Sequence, residues 1–274
     1  MRWAPGDGVL WQAAPEAEGF ATADRDLAVD VCVVGSGPGG AALARVLALA
    51  GARVLVIEEG PPQERFRPNQ GQTMRYHMQE GGAMVATGST FMPIAAGRGV
   101  GGGSLINSAI AWRCPDDVLD GWTGVIGADH FDAAAMRPVY DELWELLGIW
   151  ETRKEISGEN NDLVVRGVQK VGYDGGYLSR ATPRCVGCGT CNFGCPSGGK
   201  ASVNHNLLVE ACANGASILA DTRVSSFIVE DGRVVGVRGQ CFHPDSHEPG
   251  GRVTVRAARV VVACGGIGTP RLLA

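Results

Sequence analysis

The run Gly35-Ser36-Gly37-Pro38-Gly39-Gly40 constrains the fold more than any other feature of the chain. It lies between an apolar stretch (Val29, Val31, Cys32, Val33, Val34) and an alanine-leucine stretch from Ala41 to Ala50. A G-x-G-x-x-G run entered from a strand and leaving into a helix is the fingerprint of a dinucleotide-binding β-α-β unit. In that unit Gly35 allows the sharp turn, Gly37 lets backbone approach a pyrophosphate, and Gly40 lets the helix pack closely on its strand. The helix N-terminus then presents free N–H groups and the positive end of its dipole to phosphate. With 41 glycines in the chain, a lone match could be an ordinary turn of another α/β protein. Here the remainder of the unit follows: Gly51 ends the helix, and Arg53-Val54-Leu55-Val56-Ile57 forms a second buried strand ending at Glu58. A carboxylate about 20 residues past the fingerprint is where ribose hydroxyls are held.

A second glycine loop, Gly97-Arg98-Gly99-Val100-Gly101-Gly102-Gly103-Ser104, runs straight into the apolar residues Leu105, Ile106, Ala109 and Ile110. Flexible linkers do not continue into apolar segments in this way, so the loop reads as a further length of backbone for a ligand. The chain has 274 residues, 45% hydrophobic and 19% charged. That is enough for about two domains, or one large α/β domain with an insertion, and it argues against disorder. A net charge of -5 and the lack of a Lys/Arg run exclude a surface built for nucleic acid. The N-terminus lacks the apolar core of a secretory signal, and no stretch reaches the roughly 18 apolar residues of a membrane span. The expected location is cytoplasmic.

Composition along the chain suggests four parts: a lead-in over 1–28, the nucleotide unit and second glycine loop over 29–113, an insertion over 114–203, and a return to the first domain over 204–274. In the lead-up to the second loop, Met74, His77 and Met78 share one helical face. Within the insertion, Val139, Leu143, Leu146 and Leu147 give a helix one apolar face, and Asn160 or Asn161 can cap a second helix that stops at Gly172. Val224 to Val237, with Asp231-Gly232 at the tip, reads as a β-hairpin. Arg252 to Arg256 reads as a strand, and Val260 to Ala263 as a separate central parallel strand. Together these elements predict a three-layer α/β architecture with a helical insertion.

These residues resemble the N-terminal, FAD-binding part of the glucose-methanol-choline (GMC) flavin oxidoreductases. Four features carry the resemblance, in the family's order: the fingerprint with Glu58, the segment Gly97 to Asn107, the strand around Val224, and Ala263-Cys264-Gly265-Gly266-Ile267-Gly268-Thr269-Pro270. The resemblance implies FAD rather than NAD. It places the ADP half on Gly35, Gly37 and Gly40, the ribose on Glu58, pyrophosphate and flavin along Gly101, Gly102, Gly103, Ser104 and Asn107, adenine beside the backbone at Val224, and a further contact at Gly265. It also implies oxidation of a small-molecule alcohol by hydride transfer to flavin. The family's base is a histidine of a C-terminal half that this sequence does not contain, so the chain reads as a truncated front part. The alternatives are a non-catalytic FAD-binding fragment, an iron–sulfur electron-transfer module, and an NAD-binding dehydrogenase.

None of the five histidines is a convincing replacement for that base. His77, His130 and His205 are isolated, and His243 and His247 flank Pro244, which breaks the helical spacing that a metal pair needs. The cysteines are more distinctive. Cys185-x2-Cys188-x2-Cys191-x3-Cys195-Pro196 matches the spacing with which bacterial ferredoxins hold an iron–sulfur cube, although the fourth cysteine of such a run serves a second cluster in those proteins. The four are therefore candidate cluster ligands, set against a cluster-free structural loop, zinc, or a redox disulfide. A cluster would imply electrons passed to an acceptor protein. Cys32, Cys114, Cys212, Cys241 and Cys264 read as small buried hydrophobes.

Overall fold

The structure is a computed structural model and describes residues 21–62, 69–127 and 131–274. His130 and most of the 1–28 lead-in lie outside the described residues. In chain order the elements are β1 (Arg25–Val34), α1 (Pro38–Leu49), β2 (Val54–Ile57), α2 (Gln70–His77), β3 (Val85–Ala86), β4 (Met92–Pro93), α3 (Asp116–Ile126), α4 (Ala133–Leu146), β5 (Trp150–Glu151), α5 (Lys154–Ser157), α6 (Glu159–Lys170) and β6 (Ser179–Arg180). They continue with α7 (Leu207–Ala213), β7 (Ser217–Leu219), β8 (Thr222–Glu230), β9 (Arg233–Phe242), β10 (Pro249–Val262) and α8 (Gly265–Leu273). The chain forms two compact units: one comprises residues 1–107, 192–196 and 202–274, the other 108–191 and 197–201.

The first unit is built on a six-stranded sheet of order β7-β2-β1-β10-β9-β8. The β7, β2, β1 and β10 neighbours run parallel, whereas β10, β9 and β8 run antiparallel. Alternation along the central strands sorts side chains to two faces. On one face Val33 lies under α1, where a Cβ on Gly40 would come 3.2 Å from its Cγ1, and α1 buries Ala41, Ala44 and Ala48. Cys32, Val34, Leu55 and Ile57 belong to a core shared with Val224, Val237, Val253 and Val255 of the antiparallel strands. The antiparallel strands thus continue the same sheet and share one core with the parallel strands, while α1 packs on its other face.

One expectation changes here. Arg252–Arg256 and Val260–Ala263 are not two strands but parts of the single 14-residue strand β10. The intervening Ala257 is buried in the shared core and paired with Val29 of β1, so nothing interrupts the ladder. Its first half alternates buried and outward residues against β9. Its second half pairs Val260, Val261 and Val262 with Cys32, Val33 and Val34, as a central parallel strand should.

The second unit is mostly helical. The α4 helix starts at Asp132, whose side chain accepts from Ala135 N at 2.7 Å. No residue of α4 is fully buried, and Val139 is 44% exposed, so its apolar face is shallower than the spacing suggested. The guanidinium of Arg113 stacks 4.9 Å from the Trp144 ring on this helix. The N-cap of α6 is Gly158 rather than Asn160 or Asn161; both asparagines lie inside the helix, and Asn161 instead donates through its side chain to the Ser157 carbonyl.

Candidate functional site

The two glycine loops meet in the first unit. Gly35, at φ +103°, turns the chain off β1, and its N–H donates to the Ile57 carbonyl of β2 at 2.8 Å. A Cβ at Gly40 would lie 2.0 Å from the Gly35 carbonyl oxygen, and one at Gly102 would lie 2.8 Å from Gly37 Cα. The fingerprint turn therefore sits directly against the second loop. Inside that loop Ser104 Oγ donates to the Gly101 carbonyl at 2.6 Å and accepts from Val203 N at 3.2 Å, while Asn107 N reaches the Gly103 carbonyl at 3.1 Å.

Ser36 and Glu58 fasten the loops together, and both are buried. Glu58 Oε2 accepts from Ser36 N at 3.1 Å and from Ser36 Oγ at 2.7 Å. Glu58 Oε1 accepts from Gly60 N at 3.0 Å and from Gly99 N at 3.2 Å. Gly101 N in turn donates to Ser36 Oγ at 3.0 Å. A carboxylate has about four lone-pair positions, and here protein donors take all four. Burial pushes the Glu58 carboxyl up from its ordinary value, against the lowering effect of the hydrogen bonds from Ser36 and Gly60. In this structure Glu58 is a staple between three backbone segments.

Neighbouring residues complete the frame. Glu59 pairs with Arg223 at 3.0 Å, next to Val224, which is buried in β8 and ladders with Gly239. Thr222 N donates to the Glu58 carbonyl at 2.9 Å, tying β8 to the end of β2. His77 is buried at the end of α2; its carbonyl accepts from Arg98 N at 2.9 Å, and burial pulls its imidazole down to about 4. Met78, Leu105 and Ile106 pack together, with Met74 at their edge. Gly265 opens α8 at φ +78° with nothing within 4 Å of where a Cβ would stand.

The glycines of the two loops fall into two groups. Gly35, Gly40, Gly97 and Gly102 are required by the protein itself, since a Cβ at each would come within 3 Å of backbone atoms. Gly60, which the sequence reading passed over, joins them: its Cβ would stand 2.2 Å from Gly99 N. Gly37, Gly39 and Gly103 are different. A Cβ at Gly37 would find only Gly102 Cα, at 4.0 Å, and one at Gly39 or Gly103 would find nothing within 4 Å. Gly37 also has φ -63°, a conformation open to any residue. It is the N-cap of α1, which has Pro38 in its first turn, no side-chain cap and no acidic residue there. The helix therefore starts with no side chain capping its first-turn donors, beside glycines that no protein contact demands. That arrangement fits an extended phosphate-bearing ligand, so the residues present suit the dinucleotide that the fingerprint implies.

Cys185, Cys188 and Cys191 belong to the second unit and Cys195 to the first. Among the described residues no group of three or more His, Cys, Asp or Glu side chains is placed to hold a metal ion. All nine cysteines are thiols. The structure gives the iron–sulfur expectation for Cys185, Cys188, Cys191 and Cys195 no support: the sulfurs of the first three make separate local contacts. Cys185 Sγ accepts from Gly187 N at 3.4 Å, Cys188 Sγ lies 3.3 Å from Thr190 Oγ1, and Cys191 Sγ accepts from the Arg180 guanidinium at 3.0 Å. Hydrogen bonding from Thr190 holds the exposed Cys188 thiol below its ordinary value. Of the scattered cysteines, Cys32, Cys212 and Cys241 are buried as read, while Cys114 and Cys264 are half-buried. Burial pushes the Cys32 thiol up to about 12 and the Cys212 thiol to about 11.

Comparison with known proteins bears on the same segments. The family model described as GMC oxidoreductase matches residues 74–274, and one described as FAD binding domain matches residues 28–78. An uncharacterized GMC-type oxidoreductase of Mycobacterium tuberculosis is 36% identical over 247 residues, covering 89% of this chain and 38% of that protein. A long-chain-alcohol oxidase of Arabidopsis thaliana is 31% identical over 257 residues, covering 89% of this chain and 33% of that protein. The solved structure of formate oxidase shares the fold, with a TM-score of 0.68 at 17% identity, covering 92% of this chain and 48% of that one. The chain spans 33% to 38% of the length of these two curated relatives.

Proposed function

Since the chain belongs to the GMC oxidoreductase family, we infer that it forms the FAD-binding part of an oxidoreductase that acts on CH–OH groups. The observation that carries this reading is the set of glycines with no structural reason of their own, Gly37, Gly39 and Gly103, lying along two loops that are elsewhere locked by backbone contact. The α1 N-terminus with Gly35, Gly37 and Gly40 would hold the diphosphate. Gly101 to Ser104 and Asn107 would continue along the ligand, Val224 would offer backbone to adenine, and Gly265 would bring the open start of α8 to it. FAD, when bound, supplies a two-electron acceptor for an alcohol carbon. The part of this chain's own residues is to bind and orient. Glu58 and Ser36 keep the two loops in register, with ribose contact at Glu58 requiring one of its present donors to give way. No histidine of this chain is assigned as the base that takes the hydroxyl proton.

The long-chain-alcohol oxidases among the relatives favour an alcohol as the substrate class. The test is Gly37→Ala. Its φ suits alanine and its space is open, so the variant should unfold within about 1 kcal/mol of the parent while its flavin content, read from the visible absorption of purified protein, falls at least tenfold. A variant that keeps its flavin would remove the basis of the reading.

A further inference from the structure

The cysteine run is the one motif that the nucleotide site leaves without a use. Cys185-Val186-Gly187-Cys188 sits on a loop of the second unit, and Cys188 is exposed. We propose that Cys185 and Cys188 are a dithiol that hydroperoxides oxidise to a disulfide, with Cys188 the attacking thiol and Cys185 the resolving one.

Geometry distinguishes Cys185, Cys188 and Cys191. Cys191 is fixed on both sides: its sulfur accepts from Arg180 at 3.0 Å, and its carbonyl accepts from the buried Lys200 ammonium at 3.0 Å. Cys185 is anchored through its backbone. Its N–H donates to the Thr182 carbonyl at 3.1 Å and its carbonyl accepts from Arg153 at 3.1 Å. Its sulfur lies along the chain at 3.4 Å from the N–H of Gly187, the residue before Cys188. Cys188 stands between Gly187 at φ +76° and Gly189 at φ +70°, which bend the loop rather than extend it. Three residue steps span at most about 10 Å even when straight, and a disulfide needs Cα atoms about 5.5 Å apart. Two residues separate Cys188 from the anchored Cys185 on this bent loop, and the Cys188 sulfur has only the Thr190 hydroxyl at 3.3 Å to release, whereas Cys191 would first have to leave the Arg180 guanidinium.

The chemistry balances with a hydroperoxide as oxidant. The Cys188 thiolate attacks the outer oxygen of hydrogen peroxide; the S–O bond forms, the O–O bond breaks, and hydroxide leaves to become water. The Cys185 thiol then attacks the Cys188 sulfur; the S–S bond forms, the S–O bond breaks, and a second water leaves with the thiol proton. The two sulfurs lose two electrons in total and the peroxide gains them.

The test uses the whole chain, reduced and then exposed to hydrogen peroxide, with remaining thiols alkylated before trypsin digestion. Cleavage after Arg184 and Lys200 leaves the entire run in one peptide. The expected result is two fewer alkylated thiols per chain and a peptide carrying one internal disulfide. Cys188→Ser should abolish it. Cys185→Ser should leave a sulfenic acid at Cys188 that dimedone traps, with peroxide consumed within twofold of the parent rate. Matching circular dichroism spectra exclude misfolding of either variant. The proposal is overturned by a disulfide that survives Cys188→Ser, by one lost in Cys191→Ser but retained in Cys185→Ser, or by iron or zinc in the isolated protein that shields the run until a chelator is added.

Discussion

Two glycine-containing loops of this molecule have similar composition and opposite mechanics. In the nucleotide site, glycines exist because backbone presses on backbone: a Cβ at Gly40 would stand 2.0 Å from the Gly35 carbonyl oxygen across the turn, and one at Gly60 2.2 Å from Gly99 N of the second loop. In the cysteine loop, Gly189 also has a left-handed backbone, yet nothing lies within 4 Å of where its Cβ would be. The first loop is glycine-rich because three segments converge, and the second because an exposed bend between anchored cysteines turns at Gly187 and Gly189. A spacing pattern in the first kind of loop therefore implies a rigid geometry, whereas in the second it implies only proximity along the chain.

The contrast breaks most sharply at Gly40→Ala. Main-chain atoms cannot yield 1 Å without displacing α1 from β1, so we expect a loss of more than about 3 kcal/mol and largely insoluble protein; recovery of a soluble variant with parental urea midpoint would refute the convergence argument. Next comes the pH response of His77, packed beneath the second loop. Above its ordinary value of 6.5 the imidazole is neutral whether the chain is folded or not. Between 6.5 and about 4 the unfolded chain takes up a proton that the buried ring refuses, so stability falls as pH falls across that window, by at most about 3 kcal/mol. Urea titrations of parent and His77→Gln at several pH values should show the steeper decline in the parent. Ser36→Ala comes third: it strips Glu58 Oε2 and Gly101 N of a buried partner and should cost about 2 kcal/mol, measurable by chemical denaturation. Smallest is Gly189→Ala, where only the left-handed conformation is penalised, by about 1 kcal/mol. A drop as large as that of Gly40→Ala would show that the cysteine loop is packed after all.

The same contrast explains what could be read from the chain beforehand. The β1-turn-α1-β2 unit was legible because the fingerprint glycines do local work that only glycine permits. The hairpin of β8 and β9 was legible from alternation and Asp231-Gly232. The unity of β10 was not, because Ala257-Ala258-Arg259 has neither the apolar run of a central strand nor a clean alternation; its strand character comes from β1 alongside it. At the site, an acidic residue ending β2 was anticipated, but its four donors are a serine inside the fingerprint and backbone N–H groups, which carry no signature in sequence. Gly60 could have been found as the glycine closing Glu58-Glu59-Gly60. The cysteine spacing was plain to see but does not by itself define a cluster site, since a cluster needs four sulfurs converging on one point, and spacing alone says nothing about direction.

Strand β10 has a consequence for how the chain is made. Asp24 at the approach to β1 and Arg252 in β10 bond to each other across 228 residues of sequence, and β1 gains its neighbour on that side only from β10. During synthesis β1, with its apolar second half, must emerge from the ribosome and stand with one edge unpaired until nearly all the intervening polypeptide has followed. An unpaired apolar strand edge recruits other chains. Yield in a cell is thus governed by the interval between translation of Cys32 and of Val260, and slowing elongation after β1, or withdrawing the chaperones that shield nascent chains, should divert the product into aggregates even though the finished fold is unchanged.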